Sequence, residues 1–259
     1  MDDDSRKFQR EAVLLSNTRI KGDYFKASFQ VEDIPNECRP GQFIHLRIPG
    51  LEHRILRRPF SIFNVEEGRI SIIYKVVGEG TARLSTQAPG CGMDILGPLG
   101  RPFTIPSGAF MIVAGGYGCA ATYLLARRSP VKPLVLIGGR SCGDILLKEE
   151  YRELGCKVLV STDDGSEGFK GRVTGLLETV ARPGCRIAAC GPLPMLKALQ
   201  SAMTAGGMEG ELSLDHAMCC GVGACFACVT KVKDGSQQGW RYARICKEGP
   251  VFNADDLLF

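Results

Sequence analysis

The sequence predicts a β plus α/β protein: an N-terminal antiparallel β-barrel, then a domain built on a parallel sheet, then a small cysteine-bearing module. Three observations carry this reading. Up to about residue 105 the apolar residues come in short β-rich runs divided by turn residues. From about residue 108 strand-like runs alternate with helical ones. Five of the 12 cysteines, Cys219, Cys220, Cys225, Cys228 and Cys246, crowd the end of the chain. With 259 residues the chain is also too long for one ordinary core, so more than one domain is the natural expectation.

The barrel rests on the runs EAVLLSNTRI, YFKASFQV, FIHLRI, RISIIYKVV and MDILGPLG. Turn pairs separate them at Pro40-Gly41, Pro49-Gly50, Glu67-Gly68 and Pro89-Gly90, a spacing that suits an antiparallel barrel or sandwich. The stretch from Gly80 to Thr86 reads as a short helix starting at a Thr81 cap. In the second part, strands FMIVAGG, PLVLIGGR, CKVLVSTDD and RIAACGP alternate with helices through ATYLLARR, DILLKEEYREL, VTGLLETV and PMLKALQSAMTAG. Such alternation indicates βαβ units, with ligands bound at the carboxyl ends of the strands. After Gly206-Gly207 and the strand-like ELSL comes the cysteine segment, with a hairpin expected from VTKVKDG and GWRYARI. The expected divisions are residues 1–105, 106–210 and 211–259.

Composition narrows the function classes. Hydrophobic residues make up 44% and charged residues 23%, the balance of a soluble globular protein. No apolar run approaches the roughly 18 to 20 residues of a membrane span, and the acidic, polar start is unlike a signal peptide. A cytoplasmic protein that spans no membrane is expected. The net charge of +4 comes from 32 basic and 28 acidic residues scattered along the chain, without the basic clusters that nucleic-acid binding needs. In a reducing compartment, crowded cysteines point first to metal binding.

The cysteine spacing is the most specific signal. Cys220-x4-Cys225-x2-Cys228 followed by Cys246 is the C-x4-C-x2-C…C order of plant-type 2Fe-2S ferredoxins, which hold their cluster on four thiolates. Gly221, Gly223, Ala224 and Ala227 allow a tight loop whose amides approach the sulfurs. Lys231, Lys233, Arg244 and Lys247 could soften the cluster's charge of about −2. A four-cysteine zinc site usually pairs two C-x2-4-C knuckles, and the second knuckle is missing here. Cys219 could replace Cys220 geometrically; the spacing assigns Cys220.

Three segments of the barrel suit a flavin. Arg57, Arg58, Pro59, Phe60 and Ser61 offer a guanidinium fork, a hydroxyl and an apolar face; Ile73, Tyr74 and Lys75 add an aromatic and a cation; Gly78, Gly80 and Thr81 form a glycine turn before the short helix. Taken singly, each is as well read as a solvated strand edge or an ordinary turn. In the second domain Gly115-Gly116-Tyr117-Gly118 ends the first strand in a variant of the dinucleotide fingerprint, a pattern that a tight turn alone also explains. The second strand ends at Gly138-Gly139-Arg140 without the usual ribose-binding acid, the third at Thr162-Asp163-Asp164 and the fourth at Cys190-Gly191-Pro192. All four ends fall on one edge, as a nucleotide crevice requires, where Gly115, Gly116, Gly118, Asp163, Cys190, Gly191 and Pro192 are candidate contacts.

The order RPFSI, VGEGT, GGYG, TDDGS-x-G-x-KG-x-VT, CGPLPM, CGVGACFACV and ICKEGPVF resembles that of the iron-sulfur and FAD subunits of class 1B dihydroorotate dehydrogenases, within the ferredoxin-NADP reductase superfamily. The resemblance covers essentially the whole chain. It implies a barrel binding FAD through Arg58, Pro59, Phe60, Ser61, Ile73, Tyr74, Lys75, Gly80 and Thr81, a domain binding NAD, and a 2Fe-2S cluster on Cys220, Cys225, Cys228 and Cys246. It further implies an FMN-containing catalytic subunit as partner, in a heterotetramer of two of each, and a role in pyrimidine (UMP) biosynthesis. In that scheme dihydroorotate reduces the partner's FMN, and this chain passes the electrons on through the cluster and FAD to NAD.

No catalytic base for dihydroorotate is expected here, and His45, His53 and His216 are expected to be structural or exposed. Met218, Val222, Phe226, Val251 and Phe252 are expected to form the docking surface beside the cluster. Cys119, Ala120 and Ala121 depart from the family pattern, where an aliphatic residue and prolines are expected. The nearest rival is a related subunit of a hydrogenase, a sulfur reductase or an electron-bifurcating transhydrogenase. A zinc-binding adaptor without flavin is the rival of another class.

Overall fold

Alternation of side chains builds the first domain. In β2 (Tyr24–Gln30) the side chains of Phe25, Ala27 and Phe29 turn inward, and in β5 (Arg69–Lys75) those of Ile70, Ile72 and Tyr74 do the same, one face of each pleat supplying the core. Strands β1 (Phe8–Lys21), β3 (Phe43–Arg47), β4 (Arg58–Glu66) and β6 (Gly92–Leu99) complete the set. The computed structural model describes residues 8–31, 38–51 and 53–259. Among these residues the six strands close into an antiparallel barrel in the order β1-β2-β5-β4-β3-β6, which leaves no free sheet edge. Helix α1 (Glu79–Ser85) lies against the barrel with Leu84 buried, and Asn17 Nδ2 donates to the Leu84 carbonyl at 2.7 Å. Thr81 stands at the third helical position and not at the cap. Its hydroxyl reaches back to accept the Val77 and Gly78 amides, which satisfies donors that a helix start leaves unpaired.

The second domain is set by strands buried on both faces. All six residues of β7 (Phe110–Gly115) are buried, as expected of a parallel strand covered by helices on each side. Parallel strands β8 (Leu134–Gly139), β9 (Lys157–Thr162), β11 (Arg186–Gly191) and β12 (Glu209–Leu214) flank it. With the short β10 (Phe169–Lys170) and the antiparallel β15 (Val251–Asn253), the sheet order is β10-β9-β8-β7-β11-β12-β15. Helices α2 (Gly118–Arg128) and α3 (Lys148–Glu153) cover one face, and α4 (Val173–Val180) and α5 (Leu193–Ala205) the other. Helix α3 is shorter than the run DILLKEEYREL suggests. Residues Cys142–Asp144 form a 3-10 turn, Ile145, Leu146 and Leu147 bury their side chains, and Leu147 takes a left-handed φ of 59° just before the helix.

The hairpin expected near the end is present as β13 (Val229–Lys233) and β14 (Trp240–Arg244), with β16 (Leu257–Leu258) on its other side. This module is sewn into its neighbours. Strand β12 runs across the 210/211 position at which the sequence divides, and β15 leaves the module to pair with it. Phe43 and Leu99 of the barrel share one core with Cys228, Cys246, Met218 and Ile245. Among the described residues no helix is long and apolar enough to cross a membrane.

Candidate functional site

The carboxyl ends of β7, β8, β9 and β11 open on a cleft of about 550 Å³. Gly115, Gly116, Asp163 and Pro192 line it, together with Gly138, Gly139 and the cations Arg140 and Arg172. Gly118 lies behind the wall, where a β-carbon would collide with the Cys190 carbonyl, so glycine is what lets α2 approach β11. Cys190 and Gly191 stand in that wall and do not face the cleft. Burial pushes the Cys190 thiol up to about 12. The barrel reaches the same cleft through Tyr24 and Lys75. Tyr24 Oη donates to Asp144 Oδ1 at 2.9 Å, and Lys75 Nζ lies 3.5 Å from the same oxygen. Glycine-lined strand ends with cations at the mouth suit the phosphates and ribose of a dinucleotide.

On the barrel, Arg58 and Gly80 meet: a β-carbon on Gly80 would stand 2.7 Å from Arg58 Nε. A guanidinium thus lies over the start of α1 beside Thr81, a place for a pyrophosphate. Pro59 and Ser61 are half-buried on the outer face of β4, whereas Phe60 points into the barrel core, edge-on to Tyr74 at 5.8 Å. Tyr74 and Ile73 are buried too, and Tyr74 Oη donates to Asn17 Oδ1 at 2.9 Å. These three side chains are therefore packed away. What β5 offers a ligand is its main chain: pairing with β4 ends at Ile62–Ile72, and beyond it β4 pairs with β3. The gap between the two strands presents polar main-chain groups, the Ser61 hydroxyl and the flat Pro59 ring, which fits the edge and face of a flavin.

The cysteine loop is held by its own amides. Ala224 N–H donates to Cys220 Sγ at 3.3 Å and Cys246 N–H to Cys228 Sγ at 3.4 Å. Burial alone would raise the Cys220 thiol; the amides of Cys225, Val222 and Ala224 and the Cys225 side chain overcome it and bring it down to about 6. Burial and the hydrogen bond with Cys228 push Cys246 up to about 12. Among the described residues no three His, Cys, Asp or Glu side chains converge on one ion position. Hydrogen bonds link Cys220 with Cys225 and Cys228 with Cys246, and Cys246 also feels the Cys220 charge. Together they can supply the four thiolates that a 2Fe-2S cluster requires.

Arg244 Nη1 donates to the Gly223 carbonyl at 2.9 Å and its guanidinium is paired with Glu248 at 2.6 Å, so it braces the loop with its charge already offset. Lys231 is likewise engaged, 4.2 Å from the Trp240 ring.

One expectation needs correction. Of the apolar set around the cysteines, Met218, Val251 and Phe252 are buried, because β15 is a sheet strand and Met218 belongs to the core; Phe226 alone is well exposed, at 59%. His53 and His216 are exposed as expected. His45 is buried, as a structural residue would be, and among the described residues no hydrogen bond holds it. It is 0% exposed and, among the described residues, both its ring nitrogens are unpartnered. Burial first, and the Arg57 charge second, lower its pKa to about 4. Nothing in the run FIHLRI marks it, since a strand's alternation shows which face a residue takes but not what packs on that face.

Residues 215–258 match the family model described as the iron-sulfur cluster binding domain of dihydroorotate dehydrogenase B. A protein of Caldanaerobacter subterraneus subsp. tengcongensis, named dihydroorotate dehydrogenase B (NAD(+)), electron transfer subunit, is 37% identical over 98% of this chain and 100% of its own length. The protein of the same name from Fusobacterium nucleatum is 36% identical over 95% of this chain and 97% of its own. Among solved structures, a chain from an NADH-dependent reduced ferredoxin-NADP oxidoreductase, described in a study of flavin-based electron bifurcation, superposes with a TM-score of 0.84. It is 28% identical and the match covers 95% of this chain and 89% of that one. A ferredoxin reductase of carbazole 1,9a-dioxygenase shares the fold, with a TM-score of 0.67 at 20% identity over 78% of this chain and 67% of that one. Identity of 36–37% over nearly the full length, joined to the match of the cysteine segment to the family model, makes this chain a member of the dihydroorotate dehydrogenase B electron transfer subunit family.

Proposed function

We propose that this chain links the FMN-containing catalytic subunit of a dihydroorotate dehydrogenase to NAD+, in pyrimidine biosynthesis, as part of a heterotetramer of two subunits of each kind. It is an oxidoreductase subunit, and the substrate-oxidising chemistry belongs to the partner. Residues 1–105 form the FAD domain, 106–210 the NAD domain and 211–259 the cluster module, all within the cytoplasm. FAD, when bound, supplies exchange of hydride with nicotinamide and of single electrons with an iron-sulfur cluster.

The residues have separable tasks. Arg58, Gly80 and Thr81 take the FAD pyrophosphate, and Pro59 and Ser61 with the main chain of Ile73, Tyr74 and Lys75 take the flavin ring. Phe60 and Tyr74 support that surface from inside the barrel. Gly115, Gly116, Asp163 and Pro192 receive the nicotinamide dinucleotide, with Gly118, Cys190 and Gly191 shaping the wall behind it. Cys220, Cys225, Cys228 and Cys246 hold the cluster. The observation that carries the reading is the shared core of the barrel's Phe43 and Leu99 with Cys228 and Cys246, which sets the cluster loop directly against the flavin domain. Electron transfer falls steeply with distance, so such contact is what the function needs.

The test separates the two halves of the activity. The isolated chain should carry FAD, reduce an artificial acceptor with NADH and leave dihydroorotate untouched. Dihydroorotate oxidation by the pure chain would refute the division of labour. A second reading, a subunit of an electron-bifurcating NADH-linked oxidoreductase, is favoured by the 0.84 TM-score with the solved structure described above. It predicts co-purification with a different flavoprotein and no coupling to dihydroorotate.

A further inference from the structure

His45 sits on β3 between the two cofactor surfaces. Its register partner on β4 is Pro59, and that of Phe43 is Ser61, so His45 and Phe43 share the barrel's outer face with the residues proposed for the flavin ring. On its other side is the cysteine loop. A β-carbon on Gly221, the residue after Cys220, would stand 2.7 Å from His45 Nδ1 and 2.8 Å from Cε1. Gly221 has a φ of 71° and the imidazole rests against it, so glycine serves the turn and the close approach together.

We infer that the His45 imidazole donates a hydrogen bond to the iron-sulfur cluster on Cys220, Cys225, Cys228 and Cys246, and thereby raises the cluster's reduction potential. This rests on the cluster reading above. His45 is fully buried and both ring nitrogens lack a partner among the described residues, yet a neutral imidazole always carries one N–H, and an unsatisfied buried donor is costly. The ring edge turned to the loop carries a nitrogen in either orientation: rotating the ring by half a turn puts Nε2 where Cε1 was. Thiolate and sulfide sulfurs accept hydrogen bonds and donate none, and the edge faces Gly221, the residue next to Cys220. Hydrogen bonds to such sulfurs stabilise the more negative, reduced cluster and so raise its potential. His45 is then a positioning and tuning residue that touches neither nicotinamide nor organic substrate.

The experiment uses the chain assembled with its catalytic subunit. The cluster potential is read by redox titration followed by electron paramagnetic resonance, and exchangeable protons by electron-nuclear double resonance in H2O against D2O. His45→Leu should keep the cluster, lower its potential and remove one strongly coupled exchangeable proton, leaving the flavin potentials in place; His45→Gln, which keeps an N–H, should restore most of the shift. Unchanged cluster potential and proton coupling in a fully loaded His45→Leu protein would overturn the inference, as would a shift confined to a flavin. Should His45→Leu lose its cluster, His45→Gln decides: wild-type potential and coupling support the hydrogen bond, and a loaded cluster without the coupled proton refutes it. A wild-type protein with no cluster signal would instead refute the cluster reading itself, and this inference with it.

Discussion

Tyr24 on β2 and Asp144 in the turn after β8 face each other across the boundary of the two large domains, hydroxyl to carboxylate at 2.9 Å. Lys75 and Arg140 also approach this carboxylate, at 3.5 and 3.3 Å. Burial works against its ionisation, but the Tyr24 hydroxyl, Lys75 and Arg140 outweigh it, and the Asp144 pKa lies below the ordinary value. A group lowered on folding contributes stability that is complete above the unfolded pKa and is lost as pH falls through the folded one. Asp144→Asn should therefore cost about 1–3 kcal/mol at neutral pH, with a gap to wild type that closes below about pH 4. Because the pair closes one side of the proposed nucleotide cleft, KM for NADH should rise more than kcat falls. Thermal melts across pH together with steady-state kinetics check both; an unchanged melt and KM would show the contact to be idle.

Arg58 over Gly80 supplies the second expectation. Removing a charged donor from a phosphate usually costs about 1.5–3 kcal/mol, or roughly tenfold to a hundredfold in affinity. Arg58→Ala should weaken FAD binding by that factor while the visible spectrum of the cluster persists. Equilibrium dialysis against FAD measures it, and undiminished affinity would move the pyrophosphate elsewhere.

The cysteine pairs make the third. Cys225→Ser should leave flavin bound and bleach the cluster, while Cys219→Ser should keep it. Loss of the cluster in Cys219→Ser with retention in Cys220→Ser would reverse the ligand assignment, despite the amide that Ala224 directs at Cys220.

Much of this was legible in the sequence, for identifiable reasons. Runs such as FMIVAGG and RISIIYKVV carry strand patterning that no local feature opposes, so the barrel and the parallel sheet follow from them. The cluster motif is local in sequence and equally readable. Long-range choices were not. That Val251 and Phe252 would leave the cysteine module to pair with β12, and so be buried, depends on a strand some forty residues away. Asp144 belongs to a helical-looking run but is claimed by Tyr24 and Lys75 of the barrel, and α3 starts only at Lys148, after the left-handed Leu147. Tyr74 reads as a flavin aromatic, yet the inward face of β5 puts it in the core.

Phe226 is the fourth expectation. It is exposed beside Cys225, a proposed cluster ligand, holds a left-handed φ of 57°, and lies 5.0 Å under the Arg244 guanidinium. An exposed aromatic so placed suits a docking surface for the catalytic subunit, and Phe226→Asp should weaken that association by setting an unpaired charge at the interface. Cluster content and co-purification are measured together. Full cluster occupancy with unchanged partner binding would end the docking proposal.

The most direct measurement is reduction of NAD+ by dihydroorotate, followed at 340 nm, with the catalytic subunit alone, with this chain alone, and with the two assembled. The assembled protein should reduce NAD+, each component alone should not, and Cys225→Ser in the assembled protein should abolish the reaction while NADH-dependent reduction of an artificial acceptor survives. Assembly without any dihydroorotate-dependent NADH formation, or full activity in the Cys225→Ser protein, would contradict the account.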